Sequence, residues 1–306
     1  MNSAASDPAL IGLDWGTTSF RAALIGADGS VLETLHAPEG IMHVEGGCFE
    51  AAFERLLSPW ACHRSLPVLA SGMITSRNGW VETPYVSLPA GIEELANALV
   101  AHTTDTGRQI QFVTGLASEI NGAPDVMRGE ETQIVGAIAS GAVAGCFVMP
   151  GTHSKWVEVD GGRIENFATY MTGDIFAALR DHTILKALMA EMSFQKDGFS
   201  LGVSSGLSAG CNLLHRLFHV RSLPLFNKIP AEMSADYLSG LLIGAEIAGG
   251  QTSMTGEGPV TIVGRSDLAD RYEIALDIAG RESRRAENDI VARGHFVIAR
   301  TAGLIT

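Results

Sequence analysis

The amino-acid sequence predicts an α/β protein made of two domains with a cleft between them. Three observations support this class: the length of 306 residues, a composition of 46% hydrophobic and 18% charged residues with 35 glycines, and a strand meander that occurs twice. A chain of this length can bury two cores of ordinary size. The composition is typical of a compact protein with many tight turns rather than of a disordered or coiled-coil chain.

The first meander lies near the amino terminus. Apolar runs predict strands over 10–14, 20–25 and 30–35. A tight turn joins the first two strands, and the pair Asp28-Gly29 is typical of the hairpin turn that joins the second and third. The elements that complete this α/β unit are a helix within 47–61, a strand over 66–70, a helix over 92–100 and a strand over 109–114.

The second meander occurs at mid-chain, with predicted strands over 146–149, 155–159 and 163–169. Gly16 and Gly151 occupy matching turn positions in the two meanders, and threonine follows each of them. This repeat favours a duplicated architecture, with chance as the alternative because Gly-Thr turns are common. We place the boundary at residue 114, which gives domains 1–114 and 115–306, with a hinge near 114–121. The remaining predicted elements are helices over 174–192, 207–218, 235–248, 268–279 and 288–302 and a strand over 260–263.

Charge and cysteine content exclude several classes of function. The formal net charge of −13 argues against nucleic-acid binding, which needs a basic face. The four cysteines form no Cys-x-x-Cys pair, which predicts neither a zinc site nor a disulfide framework. The amino terminus has no basic region of a secretion signal, and the apolar run 134–149 is short for a membrane span. We therefore expect a cytoplasmic protein with no nucleic-acid or membrane partner.

The strongest chemical motif is the segment GLDWGTTSFR over 12–21, in which an apolar strand ends in Asp14 and then turns sharply. Turn N–H groups and hydroxyls offer hydrogen bonds to an anion such as phosphate, and glycine allows close approach. Asp14 is suited to a hydrated Mg²⁺, which prefers one or two carboxylates plus phosphate oxygens. An ordinary hairpin is the alternative. The residues of this turn are Gly16, Thr17 and Thr18.

A turn of the same kind occurs at mid-chain in the segment PGTHSK over 150–155. Gly151 and Thr152 repeat the Gly-Thr pair, and Lys155 adds a charge suited to phosphate. Neither segment is a Walker A loop, because that loop leads into a helix and both segments here lead into a strand. His153 receives no catalytic assignment, since a lone histidine in a turn is more often structural.

Two adjacent carboxylates open a predicted helix in the segment RGEETQ over 128–133. The helix dipole favours acidic residues in the first turn, so Glu130 and Glu131 are explained either by helix-end electrostatics or by a general base aimed into the cleft. Neighbouring helical positions differ by about 100° in direction, so only one of the two should reach an acceptor. We favour Glu130, which directly follows Gly129. Asp174 is the next candidate, although an N-cap explains it equally well.

Polar, aromatic and cationic side chains are concentrated in the segment SGMITSRNGWVETPY over 71–85. Such a loop suits a small polar ligand, with Arg77 for a carboxylate and Trp80 as a wall. By composition alone, a packed surface loop in which Trp80 and Tyr85 belong to the core is the stronger interpretation.

The motif Asp-x-Gly-Thr-Thr over 14–18, the second Gly-Thr turn, and Thr261-Ile-Val-Gly264 before a helix resemble, in order, the three nucleotide motifs of the sugar-kinase/actin/Hsp70 superfamily. Within it, five segments resemble the family of 2-dehydro-3-deoxygalactonokinases, and the resemblance covers most of the chain from Ile11 to Leu304. These segments are SGMITSRNGWVETPY, RGEETQIVGA, MPGTHSKWV, TYMTGDIFAAL and YLSGLLIGAEI.

The resemblance implies two RNase H-like domains of the actin/hexokinase-like ATPase type and the phosphorylation of the 6-hydroxyl of 2-dehydro-3-deoxy-D-galactonate by ATP and Mg²⁺, a step of galactonate catabolism. Residues 14–18 would meet the β and γ phosphates and the metal, and Gly264 the adenosine. Gly151 and Thr152 would contact the opposite side of the phosphates. The residues implied for the sugar acid are Ser76, Arg77, Asn78 and Trp80.

The alternatives are a kinase of the same fold that acts on another sugar acid or a polyol, and a non-catalytic actin-like ATPase or sugar-sensing regulator. A compact acceptor loop over 71–85 favours a small acceptor, and the chain carries no basic helix-turn-helix extension of a regulator. A homodimer is the oligomeric state that we consider for this fold.

Overall fold

The computed structural model describes residues 6–120, 122–188, 193–254, 256, 258–287 and 289–306. These residues form two compact units. Within the described ranges, unit 1 extends to Ala144 and includes Asp160–Glu165 and Glu287–Thr306. Unit 2 consists of Gly145–Val159 and Asn166–Ala286.

The strands alternate with helices along the chain, as expected for an α/β protein. Short apolar runs bounded by turn residues form the strands, which are fully buried where helices cover the sheet. They are β1 (Pro8–Trp15), β2 (Phe20–Gly26), β3 (Val31–Ala37), β4 (Val68–Ser71), β5 (Tyr85–Ser87), β6 (Val100–Thr103), β7 (Gln109–Phe112), β8 (Gly115–Ile120), β9 (Ala123–Met127), β10 (Gly145–Met149), β11 (Ser154–Asp160), β12 (Arg163–Tyr170), β13 (Val260–Ile262) and β14 (Ser283–Arg285).

The helices are longest in the second half of the chain. They are α1 (Phe49–Leu56), α2 (Ile92–Asn97), α3 (Glu130–Ala139), α4 (Thr172–His182), α5 (Lys196–Leu207), α6 (Leu213–Leu217), α7 (His219–Leu225), α8 (Ser234–Ser253), α9 (Ser266–Ile278) and α10 (Ile290–Thr301). Of the described helices, none is long and apolar enough to cross a membrane.

Both units contain a sheet with the same kind of strand order. In unit 1 the order is β3-β2-β1-β4-β7-β6, and the second sheet has the order β12-β11-β10-β13-β14. In each, an antiparallel meander continues into a parallel strand, β4 beside β1 and β13 beside β10. This is the repeated RNase H-like arrangement, and it confirms the two predicted meanders. A small third sheet, β5-β8-β9, belongs to unit 1.

The core of unit 1 is aromatic and aliphatic and lies against the meander. Trp15 packs edge-on against Phe20, with ring centroids 5.1 Å apart, and against Phe49, with centroids 6.1 Å apart. Because β1 is buried along most of its length, burial holds its carboxyl end, where the first motif lies, in one position.

The extent of unit 1 differs from the expected split at residue 114. Helix α3 packs directly against α10, since a side chain at Gly136 would overlap the backbone of Ile290, and one at Gly294 would overlap that of Thr132. The carboxyl-terminal helix therefore returns to unit 1. The chain also touches unit 1 again at Ile164, whose N–H donates to the Ala90 carbonyl at 2.8 Å. Because these contacts join residues far apart in the sequence, no local pattern predicts the extent of unit 1. The expected hinge over 114–121 includes residue 121, which lies outside the described residues.

Several predicted helices have other bounds in the structure. The helix expected within 47–61 ends at Leu56, and a 3-10 helix, Ser58–His63, follows it with a proline in its first turn. The helix expected over 92–100 ends at Asn97 and is followed by β6. The pattern over 207–218 was wrongly interpreted as one helix, because α5 ends at Leu207 and only the short α6 lies in that range. The helix expected over 174–192 is too long, because α4 ends at His182 and a separate 3-10 helix, Ile184–Leu188, follows it; residues 189–192 lie outside the described residues.

Candidate active site

Two parallel strands of unit 1 end at the same edge of the sheet. Strands β1 and β4 pair in parallel, with Asp14 beside Ser71 at the last paired position. Ligands of open α/β sheets bind outside the carboxyl ends of such strands. Gly72 directly follows β4 with a φ of 93°, and a side chain there would come within 2.9 Å of the Trp15 carbonyl oxygen and 3.1 Å of Asp14 Oδ1. Only glycine allows the two strand ends to approach this closely.

The first turn presents its threonines to solvent. The Gly16 N–H donates to the Ser19 carbonyl at 2.9 Å, and the carbonyls of Gly16 and Thr17 accept from a following segment that begins at Ile41. These bonds fix the backbone of the turn from both sides. The side chains of Thr17 and Thr18 remain exposed, so their hydroxyls are free of the core and suited to contact a ligand.

Asp14 lies among charges of both signs. A guanidinium nitrogen of Arg21 is 3.7 Å from its carboxylate, whose side chain is 22% exposed. Burial raises the pKa of Asp14 above its ordinary value; Arg21 opposes that shift and Glu130 adds to it. The mutual effect of Asp14 and Glu130 brings the residue at the start of α3 into the neighbourhood of the first motif. Two carboxylates with one partly exposed arginine form a region of excess negative charge.

The adjacent carboxylates of α3 have different environments. Glu131 is buried, and its Oε2 accepts a hydrogen bond from the Gly129 N–H at 2.6 Å. Burial and the neighbouring Glu130 raise the pKa of Glu131 to about 8, so this carboxyl is mostly protonated at neutral pH. Glu130 is only half-buried, and its Oε2 accepts from the Arg128 N–H at 3.0 Å. Of the two, Glu130 is the carboxyl that is accessible to solvent.

The start of α3 packs against the end of β4. Gly129 has a φ of 106°, and a side chain there would come within 3.0 Å of the Gly72 Cα. This contact explains how Glu130 influences the pKa of Asp14 although the two are far apart in sequence. The sequence suggested both as candidates, and the structure brings them together.

The segment 71–85 is held in place by a buried arginine that sequence reasoning missed. Arg128 Nη1 donates to the Thr75 carbonyl at 2.6 Å and to the Thr75 hydroxyl at 2.7 Å, and Nη2 donates to the Thr83 carbonyl at 3.0 Å. The guanidinium also stacks on Tyr85, 4.3 Å from the ring centroid. In the sequence, Arg128 is recognisable only as an arginine before Gly-Glu-Glu. Its hydrogen-bond partners lie 45 to 53 positions away, so no local pattern predicts them.

The loop residues expected at the sugar acid have differing positions. Arg77 and Asn78 are exposed, and Ser76 donates its hydroxyl to the Met73 carbonyl at 2.7 Å. The Trp80 ring packs against Phe53 and other core aromatics, with centroids 5.5 Å apart for that pair. Core packing accounts for Trp80 without a ligand, as the composition of the loop had favoured. Of these four residues, Arg77 has an exposed cationic side chain, which is suited to contact an anion.

A buried histidine lies next to the strand ends and was also missed. His295 of α10 is 1% exposed, and its Nε2 is 2.8 Å from the Ser71 hydroxyl. Burial lowers its pKa to about 3, so the ring is neutral. A side chain at Gly12 would come within 2.6 Å of the imidazole Nδ1, which explains a glycine inside β1. Nothing in the sequence linked residue 295 to the first motif.

In unit 2, the second turn and the expected adenosine motif lie together. Strands β10 and β13 pair in parallel, so the turn after β10 and Gly264 after β13 lie at the same sheet edge. A side chain at Gly264 would be 3.6 Å from Pro150, the residue that opens the turn. The second turn is also held by α4, since the Asp174 N–H donates to the Thr152 carbonyl at 3.0 Å. Asp174 thus belongs to unit 2, beside the turn, and His153 lies 3.8 Å from its carboxylate.

Across the described ranges, no cluster of three or more histidine, cysteine or acidic side chains is arranged to hold a metal ion. A metal bound mainly by protein side chains is therefore not indicated there. A Mg²⁺ held by one carboxylate and by phosphate oxygens needs no such cluster.

The comparisons agree on one family. The family model for 2-keto-3-deoxy-galactonokinase matches residues 14–298. A Rhizobium meliloti (strain 1021) protein named "Probable 2-dehydro-3-deoxygalactonokinase DgoK1" is 37% identical over 95% of this chain and 96% of its own length. The 2-dehydro-3-deoxygalactonokinase of Escherichia coli (strain K12) is 34% identical over 88% of this chain and 90% of its own length.

A solved structure gives the same result for the fold. A crystal structure from Sinorhizobium meliloti, provisionally assigned as a 2-dehydro-3-deoxygalactonokinase protein, superposes with a TM-score of 0.88 at 36% identity. The match covers 95% of this chain and 98% of that one.

Proposed function

The chain belongs to the 2-keto-3-deoxy-galactonokinase family, and from this membership we propose that it transfers the γ-phosphoryl group of ATP to the 6-hydroxyl of 2-dehydro-3-deoxy-D-galactonate. The products are the 6-phosphate and ADP. The observation that carries the proposal is the juxtaposition, at one sheet edge of unit 1, of Asp14, the Gly-Thr-Thr turn and the half-buried Glu130.

Glu130 is the general base of the proposed reaction. Its carboxylate takes the proton of the acceptor hydroxyl while the hydroxyl oxygen bonds to the γ-phosphorus and the bond from phosphorus to the ADP oxygen breaks. The burial of Glu131 and its pKa of about 8, which leaves it mostly protonated at neutral pH, support the choice of Glu130 over Glu131. The hydrogen bond from the Arg128 N–H to Glu130 holds the base in place without neutralising it.

Asp14 is the residue suited to Mg²⁺. Its pKa is raised by burial and by the nearby Glu130, so the carboxylate lacks sufficient positive charge in its surroundings, and a bound cation would relieve this. When bound with ATP, Mg²⁺ would neutralise charge on the phosphate oxygens. The exposed hydroxyls of Thr17 and Thr18 are placed to donate hydrogen bonds to the same phosphates.

Each unit has further residues that we propose for ligand contacts. In unit 2, Gly151 and Thr152 supply backbone N–H groups for the phosphates, and Gly264 allows close approach of the adenosine. In unit 1, Arg77 pairs with the carboxylate of the sugar acid, and Ser76 and Asn78 lie beside it in the loop held by Arg128. Substrate positioning and charge stabilisation supply most of the catalysis, as is general for phosphoryl transfer.

An ADP-release assay with a panel of acceptors tests the proposal. We expect turnover that requires ATP, Mg²⁺ and 2-dehydro-3-deoxy-D-galactonate, with the C4 epimer 2-dehydro-3-deoxy-D-gluconate as the matched control acceptor. Turnover with a polyol or another sugar acid alone would reassign the acceptor. ADP release that does not depend on an acceptor would instead support an actin-like ATPase or a sugar-sensing regulator. Mass spectrometry of the product checks that the phosphoryl group is on O6.

Two further parts of the proposal concern the setting of the enzyme. Because the reaction consumes ATP, we propose a cytoplasmic location, which fractionation of cells would test. We also propose a homodimer, to be measured by light scattering coupled to size-exclusion chromatography.

A further inference from the structure

A buried carboxylate of α8 lies beside the second turn, and the reaction described above does not use it. Glu246 is 3% exposed. Its Oε1 accepts a hydrogen bond from the Trp156 indole nitrogen at 2.9 Å, and its Oε2 accepts one from the Tyr272 hydroxyl at 2.7 Å. A carboxylate is costly to bury unless donors surround it. The groups that donate to Glu246 therefore indicate what role this buried acid has.

Glu246 also interacts with the two segments that hold the second turn. Ser154 is the first residue of β11, directly after the turn, and its hydroxyl lies 3.1 Å from the Tyr272 hydroxyl that donates to Glu246. Trp156, the indole donor, lies on the same strand. Thr172 is the first residue of α4, and its hydroxyl, like that of Ser154, opposes the rise in the pKa of Glu246. Glu246 thus bonds to the strand that leaves the turn and interacts with the start of the helix that packs on it.

The turn has little room to move between these segments. A side chain at Gly173 would lie 2.5 Å from the Gly151 carbonyl oxygen and 2.8 Å from the Thr152 Cα. The Asp174 N–H donates to the Thr152 carbonyl. The position of Gly151 and Thr152 is therefore set by the start of α4 on one side and by β11 on the other, both of which Glu246 holds.

We propose that Glu246 is a positioning residue that fixes the second turn in the conformation that binds the nucleotide phosphates. The inference rests on the proposed function in one respect, namely that this turn receives the phosphates of ATP. A carboxylate is suited to the task because its two oxygens can accept from several donors at once, here the Trp156 indole and the Tyr272 phenol. Burial raises the pKa of Glu246, and the hydroxyl and indole donors oppose that rise.

The test compares two isosteric variants of buried acids on the same helix. Glu246→Gln replaces one acceptor oxygen by an amide group that donates, so a group that donated to that oxygen must reorient its hydroxyl or lose its partner. Asp236→Asn is the matched control, since Asp236 is also buried but bonds to the Gln195 N–H at 2.8 Å and to Arg271 at 3.0 Å, not to the segments that hold the turn. Calorimetry with a non-hydrolysable ATP analogue measures nucleotide binding directly, and steady-state kinetics gives both KM values.

We expect Glu246→Gln to weaken analogue binding and to raise the KM for ATP, each by about 10-fold, while the KM for the sugar acid changes less than twofold. Asp236→Asn should change neither nucleotide value by more than about twofold, even if its Tm falls equally. The same nucleotide loss in both variants, or none in Glu246→Gln, would overturn the proposal.

Tyr272→Phe provides a second route if Glu246→Gln folds poorly. It removes one hydroxyl that contacts both Glu246 and Ser154, and we expect a weaker nucleotide loss of about threefold. Unchanged analogue binding in this variant would count against the proposal. If the wild-type chain binds the analogue but phosphorylates no sugar acid, the proposed function fails while the comparison of Glu246→Gln with Asp236→Asn still decides the role of Glu246.

Discussion

The pair Glu130→Gln and Glu131→Gln tests which carboxylate accepts the proton. A glutamine at 130 keeps an oxygen that can accept from the Arg128 N–H, now at 3.0 Å, so the start of α3 should stay in place. It removes the charge and the basicity. A positioned base contributes about 10²- to 10⁴-fold to the rate, which corresponds to roughly 3 to 5 kcal/mol of transition-state stabilisation. We expect a fall in kcat of that order, with both KM values within a few-fold.

Glu131→Gln is the matched control, since it replaces a carboxyl that is already mostly protonated at pH 7 by a neutral group of the same shape. The oxygen that accepts from the Gly129 N–H can be kept. We expect a kcat within about threefold of wild type. The assay is ADP release at saturating ATP, Mg²⁺ and sugar acid, with thermal unfolding of each variant as the check on folding. The reasoning is refuted if Glu131→Gln is the inactive variant, and if both stay active, the base lies elsewhere.

Four further outcomes are expected. Asp14→Asn should abolish turnover at every Mg²⁺ concentration while changing the free energy of unfolding by about 1 kcal/mol or less, because it removes a carboxylate that Glu130 repels; a near-normal rate at saturating Mg²⁺ would contradict this. Arg77→Ala should raise the KM for the sugar acid and leave that for ATP nearly unchanged, since its side chain is exposed and contributes little to folding; equal effects on both substrates would mean a structural role. Arg128→Lys should lower stability by about 2 kcal/mol or more and raise the KM for the sugar acid, because an ammonium cannot reproduce the fork of bonds to Thr75 and Thr83; unchanged unfolding in urea would exclude it. The raised pKa of Glu131 means that the folded state binds a proton more tightly than the unfolded state, so its contribution to stability is complete below about pH 4.5 and is lost as pH rises through about 8; between those pH values, the free energy of unfolding of the wild type should fall by a few kcal/mol relative to that of Glu131→Gln. Parallel profiles of unfolding free energy against pH would contradict the raised pKa of Glu131.

Sequence patterns were sufficient where the determining interactions are local. Alternating apolar runs and an Asp-Gly hairpin predicted both meanders to within one or two residues, because strand periodicity and turn chemistry act over a few positions. The start of α3 at Glu130 was predicted for the same reason, from two acidic residues before an apolar helical pattern. The motifs also indicated the family, which the comparisons confirm.

Helix ends and the extent of unit 1 required the tertiary structure. The apolar pattern over 207–218 has helical spacing, yet α5 ends at Leu207, since packing rather than periodicity decides which part of an apolar run stays helical. Likewise, α10 belongs with the first 144 residues only because Gly136 and Gly294 let it approach α3 closely, a contact between positions far apart in the chain.

The chemistry of individual carboxylates was decided by burial. From the sequence, only the position after Gly129 favoured Glu130 over Glu131, and no local pattern indicated how either is buried. The fold buries Glu131 and leaves Glu130 half-exposed near Asp14, and desolvation raises the pKa of Glu131. The same holds for Arg128, His295 and Glu246, whose partners come from distant segments. The sequence by itself determined which residue types are present and where the strands and turns lie, whereas only tertiary packing determined which of those residues are desolvated, paired and brought together.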